Sequence, residues 1–355
     1  MTRIDAHIHL PGDTAESLAL LEHFDLKLLN ICISQDAQGM WREQAEIYRS
    51  LADAFPDRYA WCTTFDLPRF DDPTYVQSVI EGLERDFAAG AVGCKVWKNL
   101  GMKVTSPSGQ PFLVDDPLLE PIFAFVAEND KSLLMHIADP LSSWEPPGDS
   151  SPHSEYFRTH PEWYMCGRRD APSHERLIES RDAVVARHPN LRVIGAHLAS
   201  LEHDLDEVAR RLDRFPNFAV DTSARLSDLA RHDRDKVREF CSRYRDRILF
   251  GTDHGINGRL STMPVEQRRR EIRELAHQFR EQLQFFTSRE GPPTRGRGAR
   301  GLVRTLARRF REHVEFLISS GDLTVGDRRA RGLGLPTDVT ERILGANART
   351  WYRGL

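Results

Sequence analysis

Short apolar runs alternate with amphipathic segments along almost the whole chain. Eight of the runs predict β-strands, and most are nearly continuous hydrophobic stretches, as expected for parallel strands that are covered on both faces. The predicted strands are 3–10, 26–34, 59–66, 91–99, 132–139, 191–200, 218–223 and 248–253. Apolar side chains at helical spacing predict helices between several of them, over 76–87, 119–126 and 205–215.

This alternation predicts an α/β fold, a (β/α)8 TIM barrel formed by one domain over residues 1–355, rather than a doubly wound open sheet. Two long insertions interrupt the pattern. The first, 140–173, follows strand five and is rich in aromatic residues, so we expect a lid-like segment. The second, 265–320, follows strand eight; it is helical in pattern, with a glycine- and proline-rich stretch near 289–301 that predicts a flexible loop. Residues 337–352 predict a closing helix.

Composition narrows the classes of partner. Of the 355 residues, 49 are basic and 53 acidic, and a net charge of −4 offers no reason to expect nucleic acid or a membrane surface as partner. No apolar stretch is long enough to span a bilayer. The five cysteines form no CxxC pair, and the chain begins with a strand pattern instead of a secretory signal. We therefore expect a cytoplasmic protein that binds a small-molecule substrate, with a homodimer as a candidate assembly.

Ionisable side chains recur at the ends of the predicted strands. His7 and His9 lie two residues apart in strand one and so point to the same face. Four further strands end in a polar group, namely Lys95, His136, His197 and Asp253. In a barrel these ends converge on one face, and a divalent cation would offset the cost of burying so many ionisable groups there. Three histidines and an aspartate are a plausible ligand set for zinc or a similar ion. The alternative for His7 and His9 is a hydrogen-bonded pair of core histidines.

The motifs Asp5-Ala6-His7-Ile8-His9, Lys95, His136, His197 and Gly251-Thr252-Asp253 resemble those of the amidohydrolase superfamily of metal-dependent hydrolases. The His-Leu sequence after strand six and the ending Ile343-Leu344-Gly345-Ala346-Asn347-Ala348 resemble the branch that includes aminocarboxymuconate semialdehyde decarboxylase. The resemblance spans most of the chain and leaves out the two insertions.

The resemblance implies a role for each of these positions. His7, His9, His136 and Asp253 match the ligands of a single metal ion. His197 matches a general acid or base in mononuclear members and a second-metal ligand in binuclear ones. Lys95 matches a lysine that is carbamylated and bridges two metals in binuclear members, although the decarboxylase-like branch usually lacks it.

The role of Lys95 therefore stays open between a metal-bridging carbamate, an ion pair with Asp253 and a cation that binds substrate. We expect one divalent ion rather than two, Zn²⁺ in the first place, with Mn²⁺ or Fe²⁺ as alternatives.

The predicted function is hydrolysis of a small amide, ester or lactone. A divalent ion lowers the pKa of water and polarises a carbonyl, while Asp253 and His197 are the candidate proton carriers. The same ligands would also serve a nonoxidative decarboxylase or a hydratase. A barrel that only binds a ligand is the third hypothesis, and the intact ligand set argues against it.

Candidate substrate contacts lie beside the predicted ligands. Arg225, just after strand seven, could hold a substrate carboxylate through two hydrogen bonds or could lie at the surface. Trp97 and Trp144 could line the pocket or only pack in loops. His254 could face the pocket or cap strand eight. Lys98 is expected to be structural, unless the strand has ended and the loop turns it inward.

Overall fold

The computed structural model describes residues 2–10, 15–35, 39–148, 152–255, 266–267, 270, 273–274, 299–326 and 328–355. Within these residues eight parallel strands follow one another, each at the position of a predicted strand. They are β1 (Arg3–Ile8), β2 (Leu26–Ile31), β3 (Tyr59–Cys62), β4 (Gly93–Val96), β5 (Ser132–Met135), β6 (Arg192–Gly195), β7 (Phe218–Asp221) and β8 (Ile248–Leu249).

Backbone hydrogen bonds close these strands into a barrel. The strands pair in the orders β1-β2-β3 and β4-β5-β6-β7-β8. A parallel bridge between Thr63 and Cys94 joins β3 to β4. On the opposite side, the amide of Ala6 donates to the Phe250 carbonyl at 2.9 Å and the amide of Asp253 donates to the His7 carbonyl at 2.8 Å. The predicted (β/α)8 barrel is therefore confirmed, and the open-sheet alternative is wrong.

Helices lie between the strands and after them. They are α1 (Ala15–His23), α2 (Trp41–Ala54), α3 (Tyr75–Ala88), α4 (Glu120–Glu128), α5 (Ser154–Thr159), α6 (His174–Arg187), α7 (Leu205–Arg214), α8 (Arg234–Arg243) and α9 (Ala299–Ile318). Shorter helical turns cover Asn99–Met102, Pro117–Leu119, Leu141–Ser143, Pro161–Trp163, Ala196–Ala199 and Leu226–Leu229. The chain ends in a hairpin, β9 (Asp322–Val325) with β10 (Arg328–Arg331), and the helical run Thr337–Glu341, Arg342–Ala346 and Asn347–Trp351. The helices predicted over 76–87, 119–126, 205–215 and 337–352 are all found, whereas the hairpin was not predicted.

Alternation along the strands produces two apolar layers. One fills the barrel and includes Ile4, Ile31, Leu134, Ile194 and Leu249, while the other packs the outer faces of the strands against the helices. The C-terminal segment closes the amino-terminal end of the barrel: Tyr352 is buried there, so close to Gly93 that a Cβ at that position would lie 3.1 Å from its ring. The carboxyl ends of the strands are left for the functional site.

Most strands end earlier than predicted, and the largest difference is at strand six. β6 stops at Gly195, and the next residues form a tight turn in which His197, Leu198, Ala199 and Ser200 have φ values of 59°, 54°, 61° and 59°. Left-handed backbone costs about 1–2 kcal/mol per non-glycine residue, so tertiary contacts must hold this turn. The Ser200 hydroxyl donates to the Ala138 carbonyl at 2.6 Å, and the Arg181 guanidinium donates to the Ala199 carbonyl. His197 is therefore aimed by this turn and not by strand alternation.

The insertion after β5 is packed by its own contacts. The amides of Met165 and Cys166 both donate to the Ser143 carbonyl, at 2.9 and 2.8 Å, and Trp163 is buried. Its lid-like role stays a prediction. In the second insertion, residues 275–298 lie outside the described residues, including 289–298 of the predicted loop. Residues 299–301 already belong to α9, so the predicted loop extended too far there.

No helix among the described residues combines the length and apolar character needed to cross a membrane.

Buried His313 in α9 gives the fold an expected pH dependence. Its Nδ1–H donates to the Arg309 carbonyl at 2.7 Å and its ring lies 5.5 Å from that of Phe250. Burial lowers the pKa of His313 from 6.5 to about 4; the hydrogen bond to the Arg309 carbonyl opposes this shift, and the charge of Arg309 adds to it. Because the unfolded chain binds this proton more readily, stability is lost as the pH falls from 6.5 to 4, by roughly 3 kcal/mol in total. We expect His313→Leu to flatten urea-unfolding free energies over that range. Equal pH slopes in the variant and the wild type would contradict this, and exposed His160→Gln is the control.

Candidate metal centre

Three ligating atoms meet where the first and last strands adjoin. The Oδ1 atom of Asp253 lies 3.6 Å from His7 Nε2 and 3.3 Å from His9 Nε2. His7 belongs to β1, and His9 is the first residue after that strand. Asp253 comes after β8, and its amide donates to the His7 carbonyl. The pairing of β1 with the end of β8 thus places these side chains together.

The second nitrogen of each imidazole is already engaged. His7 Nδ1 lies 2.8 Å from Asp221 Oδ2, and His9 Nδ1 lies 2.7 Å from the Ile31 carbonyl oxygen. Because both partners are acceptors, Nδ1 carries the proton in each ring and the lone pair is on Nε2. Such partners are what orients histidine ligands in metal sites.

The spacing of these atoms fits a divalent ion. Two ligands about 2.1 Å from one ion at a tetrahedral angle lie about 3.4 Å apart, close to the separations found here. Two imidazole nitrogens and a carboxylate oxygen are also donors that zinc and similar ions accept. His7, His9 and Asp253 therefore suit a metal centre. A second group among the described residues, His7, His197 and Asp221, also has its atoms within 4.8 Å of one another, but hydrogen bonds already use Asp221.

Asp253 is held in its ionised form. Burial works against the charge, but His197, His7 and His9 together lower the pKa of Asp253 well below its usual value. A carboxylate with a low pKa can ligate a cation. Because it is a weak base, it accepts a proton only from an acidic group, such as a water molecule whose own pKa has been lowered.

Lys95 reaches the same place from β4. Its Nζ atom lies 3.4 Å from His7 Nε2, and the side chain is 1% exposed. Burial lowers the pKa of Lys95 to about 8, although Asp221 and Asp253 oppose the shift. A lysine so placed can lose its proton near neutral pH, which is compatible with each of the three roles predicted for it.

His136, the fourth predicted ligand, does not join the three ligating atoms. It is in neither cluster of ligating atoms within the described residues, and its ring centre lies 4.3 Å from that of His197. Its Nε2 atom is buried without a hydrogen-bond partner, 3.8 Å from Asp139 Oδ1. Ligation by His136 stays a prediction.

His197 lies beside the cluster as a neutral imidazole. Its Nδ1 atom is 2.9 Å from the Ser223 carbonyl oxygen, which leaves Nε2 as the basic nitrogen. Burial lowers the pKa of His197 to about 3; the negative charge of Asp253 opposes this shift, and the positive charge of Arg225 adds to it. In the resting site His197 is therefore an acceptor and not a proton donor.

Asp221 connects these groups, and the sequence analysis missed it. It receives hydrogen bonds from His7 Nδ1 and from the His197 amide, both at 2.8 Å, and from the amide and hydroxyl of Ser223. Burial opposes its charge, yet His7, His197 and Ser223 lower the pKa of Asp221 far below its usual value. Asp221 is the last residue of β7, so inspecting the end of strand seven as closely as the others would have found it.

Arg225 and His254 are the predicted substrate residues with unused polar atoms. Arg225 is buried; its Nη1 donates to the Ala224 carbonyl, and its Nε lies 3.5 Å from Glu202 Oε2 without a hydrogen bond. His254 is half-buried, and its Nε2 has no partner among the described residues. Burial, then the charge of Arg309, lowers the pKa of His254 to about 4.

Trp97 and Trp144 make packing contacts. The Trp97 ring lies edge-on to Trp163 at 5.1 Å. The indole N–H of Trp144 donates to the Pro172 carbonyl at 2.9 Å and its ring contacts His174 at 5.1 Å. Trp144 thus has no free donor for a substrate, and a role for either ring in binding stays a prediction.

Two imidazoles and a carboxylate at the carboxyl ends of the strands of a closed (β/α)8 barrel are the donor set expected of a metal-binding barrel protein. The sequence matches the family described as Amidohydrolase over residues 4–354, and the chain belongs to that family, which confirms the predicted resemblance.

Solved structures of the same fold show only distant similarity. An uncharacterized TIM-barrel protein from Bordetella bronchiseptica shares 14% identity, covering 100% of this chain and 99% of its own, with a TM-score of 0.49. 2,6-Dihydroxybenzoate decarboxylase from Rhizobium shares 16% identity, covering 99% of this chain and 99% of its own, with a TM-score of 0.48. 4-Oxalomesaconate hydratase from Rhodopseudomonas palustris shares 12% identity, covering 99% of this chain and 96% of its own, with a TM-score of 0.50. A comparison with curated proteins finds no match.

Proposed function

We propose that this chain is a metal-dependent hydrolase that cleaves a small amide, ester or lactone carrying a carboxylate. The observation that carries the proposal is the meeting of His7 Nε2, His9 Nε2 and Asp253 Oδ1 within 3.3–3.6 Å contacts, with the Nδ1 atom of each histidine bonded elsewhere. When bound there, a divalent ion supplies Lewis acidity, which lowers the pKa of water and polarises a carbonyl. Zn²⁺ fits this donor set, and Mn²⁺ or Fe²⁺ are alternatives.

The proton steps fall to two side chains. The ionised Asp253 carboxylate accepts a proton from the attacking water and returns it to the leaving group. His197 stays neutral because burial lowers its pKa, so its Nε2 atom can share the proton in the transition state.

Arg225 supports binding of an acidic substrate. The residue is 7% exposed, and its Nε lies 3.5 Å from Glu202 Oε2 but makes no hydrogen bond to the described residues. A buried donor without an acceptor is costly, and a substrate carboxylate would supply that acceptor.

Nonoxidative decarboxylation or hydration is the second candidate, and one feature favours it. Two cations, Lys95 and Arg225, lie near enough to Asp253 for their charges to interact with it. Such a concentration of positive charge would stabilise both a bound carboxylate and the negative charge left when carbon dioxide departs.

Turnover in ¹⁸O-labelled water separates the two candidates. We would incubate the full chain, reconstituted with Zn²⁺, Mn²⁺ or Fe²⁺, with carboxylate-bearing amides, esters and lactones, and with aromatic acids that include 2,6-dihydroxybenzoate. Hydrolysis predicts cleavage with one ¹⁸O atom in the carboxylic acid product and no carbon dioxide, together with loss of activity on chelation and recovery when the ion is returned. Carbon dioxide release without ¹⁸O uptake into the organic product would overturn the hydrolase proposal in favour of a carboxy-lyase. Protein that stays metal-free after reconstitution would overturn both.

A further inference from the structure

Lys98 lies inside the site with every N–H occupied. β4 ends at Val96, so the following loop turns Lys98 inward, which is the exception considered in the sequence analysis. Its Nζ atom donates to both carboxylate oxygens of Asp139 at 2.6 Å and to the phenolic oxygen of Tyr156 at 2.8 Å. An ammonium has three N–H donors, and these three acceptors use them all. Lys98 is therefore not available to bind a substrate.

The same contact leaves the Tyr156 hydroxyl ready to donate. Its oxygen accepts from Lys98, and its own O–H has no acceptor among the residues that the structure describes. The ring is held by stacking on His160, with the centres 4.6 Å apart, and by the Lys98 ammonium, 5.1 Å from its centre. Tyr156 thus presents one oriented O–H from the 140–173 insertion.

A series of contacts connects this hydroxyl to the metal centre: Lys98 bonds to Asp139, whose Oδ1 atom lies 3.8 Å from His136 Nε2, and the His136 ring lies 4.3 Å from that of His197. Burial raises the pKa of Tyr156, the negative charges of Asp139, Glu162 and Asp253 raise it further, and the positive charge of Arg225 opposes them. The hydroxyl therefore keeps its proton at neutral pH. The start of α5 meets the turn that follows Arg225, because His153 Nε2 lies 3.2 Å from Asp228 Oδ1. Tyr156 and Arg225 therefore belong to adjoining segments, and each has a donor that makes no hydrogen bond to the described residues.

We propose that Tyr156 and Arg225 together bind the carboxylate of the substrate, with the Tyr156 hydroxyl donating to one oxygen and the Arg225 guanidinium to the other. This inference rests on the proposed function and deepens it, because it makes the insertion after β5 a source of specificity for acidic substrates. Lys98 and Asp139 hold the tyrosine in place and remain a neutral pair.

The test compares a carboxylate with its neutral analogue. Binding of benzoate and of benzamide to the full chain would be measured by ligand-observed NMR titration. The titrations would be done on the protein as purified and after chelation, so that benzoate bound to a metal ion is distinguished from benzoate bound by Tyr156 and Arg225. We expect Tyr156→Phe, which removes only the hydroxyl, to weaken benzoate binding about ten-fold and to leave benzamide unchanged. Tyr164→Phe is the matched control, because that hydroxyl lies in the same insertion and donates to the Glu145 carbonyl at 2.7 Å.

A second variant removes the guanidinium of the proposed subsite. Arg225→Gln should weaken benzoate at least as much as Tyr156→Phe. Unchanged benzoate binding in either variant, equal loss in Tyr164→Phe, or no saturable benzoate binding by the wild type would each overturn the proposal. The measurement needs no turnover, so a subsite that responds as expected stands even where ¹⁸O labelling refutes hydrolysis, and the converse also holds.

Discussion

Replacing Asp253 by asparagine is expected to lower kcat/KM on the order of a thousand-fold or more, since the change removes both a ligand charge and the proton acceptor. Asp253 Oδ1 lies 3.3 and 3.6 Å from the two imidazole Nε2 atoms, and its low pKa keeps it ionised. Asparagine preserves the shape and supplies one neutral oxygen, so the metal content of the purified protein should fall as well. Elemental analysis per chain, beside kcat/KM, checks both.

A matched control separates charge from backbone effects. Asp253 has a left-handed φ of 56°, and Asp130, an exposed residue that pairs with Arg192, has a φ of 54°. Asparagine is well tolerated in that region, so neither substitution strains the chain. Asp130→Asn should keep full metal content and activity. An Asp253→Asn protein with unchanged metal content and rate would show that the ion, if any, is bound elsewhere.

The fold was predictable because its signals are repeated and local. Eight apolar runs at regular intervals, with helical spacing between them, left few topologies that bury every strand. His7 and His9 were predictable for the same reason, since strand alternation puts them on one face before any tertiary contact is known. Asp253 then followed from the rule that strand ends converge in a barrel.

The rest of the site depends on contacts that the sequence pattern does not encode. His197 lies in a left-handed turn that Ser200 and Arg181 hold in place, so its direction does not follow from strand alternation. The Tyr156 hydroxyl is positioned by a hydrogen bond from Lys98, which is distant in sequence. Each placement is decided by a long-range hydrogen bond.

Asp221 is the second residue whose loss should have a large effect, because it accepts hydrogen bonds from both His7 and His197. Its Oδ2 binds the His7 imidazole, and its Oδ1 binds the His197 amide and Ser223. In Asp221→Asn one of these oxygens becomes an NH₂ group, which would face an N–H donor. We expect the Kd for the metal to rise by about 10- to 100-fold, as for other outer partners of histidine ligands. The free energy of unfolding should fall by about 3–5 kcal/mol, since buried donors lose their acceptor.

A loss of stability alone would not distinguish a positioning role from a structural one. Asp86→Asn supplies the comparison, because Asp86 is also a largely buried carboxylate, bonded to Thr63 and Arg42 away from the site. Both variants should be less stable, but only Asp221→Asn should bind Zn²⁺ more weakly in competition with a chelator and alter the visible spectrum of the Co²⁺-substituted protein. Equal metal affinity in the two variants would reduce Asp221 to a structural residue. Since His7 Nδ1 has Asp221 as its carboxylate partner, weaker binding in Asp221→Asn would also show that His7 binds the ion through Nε2.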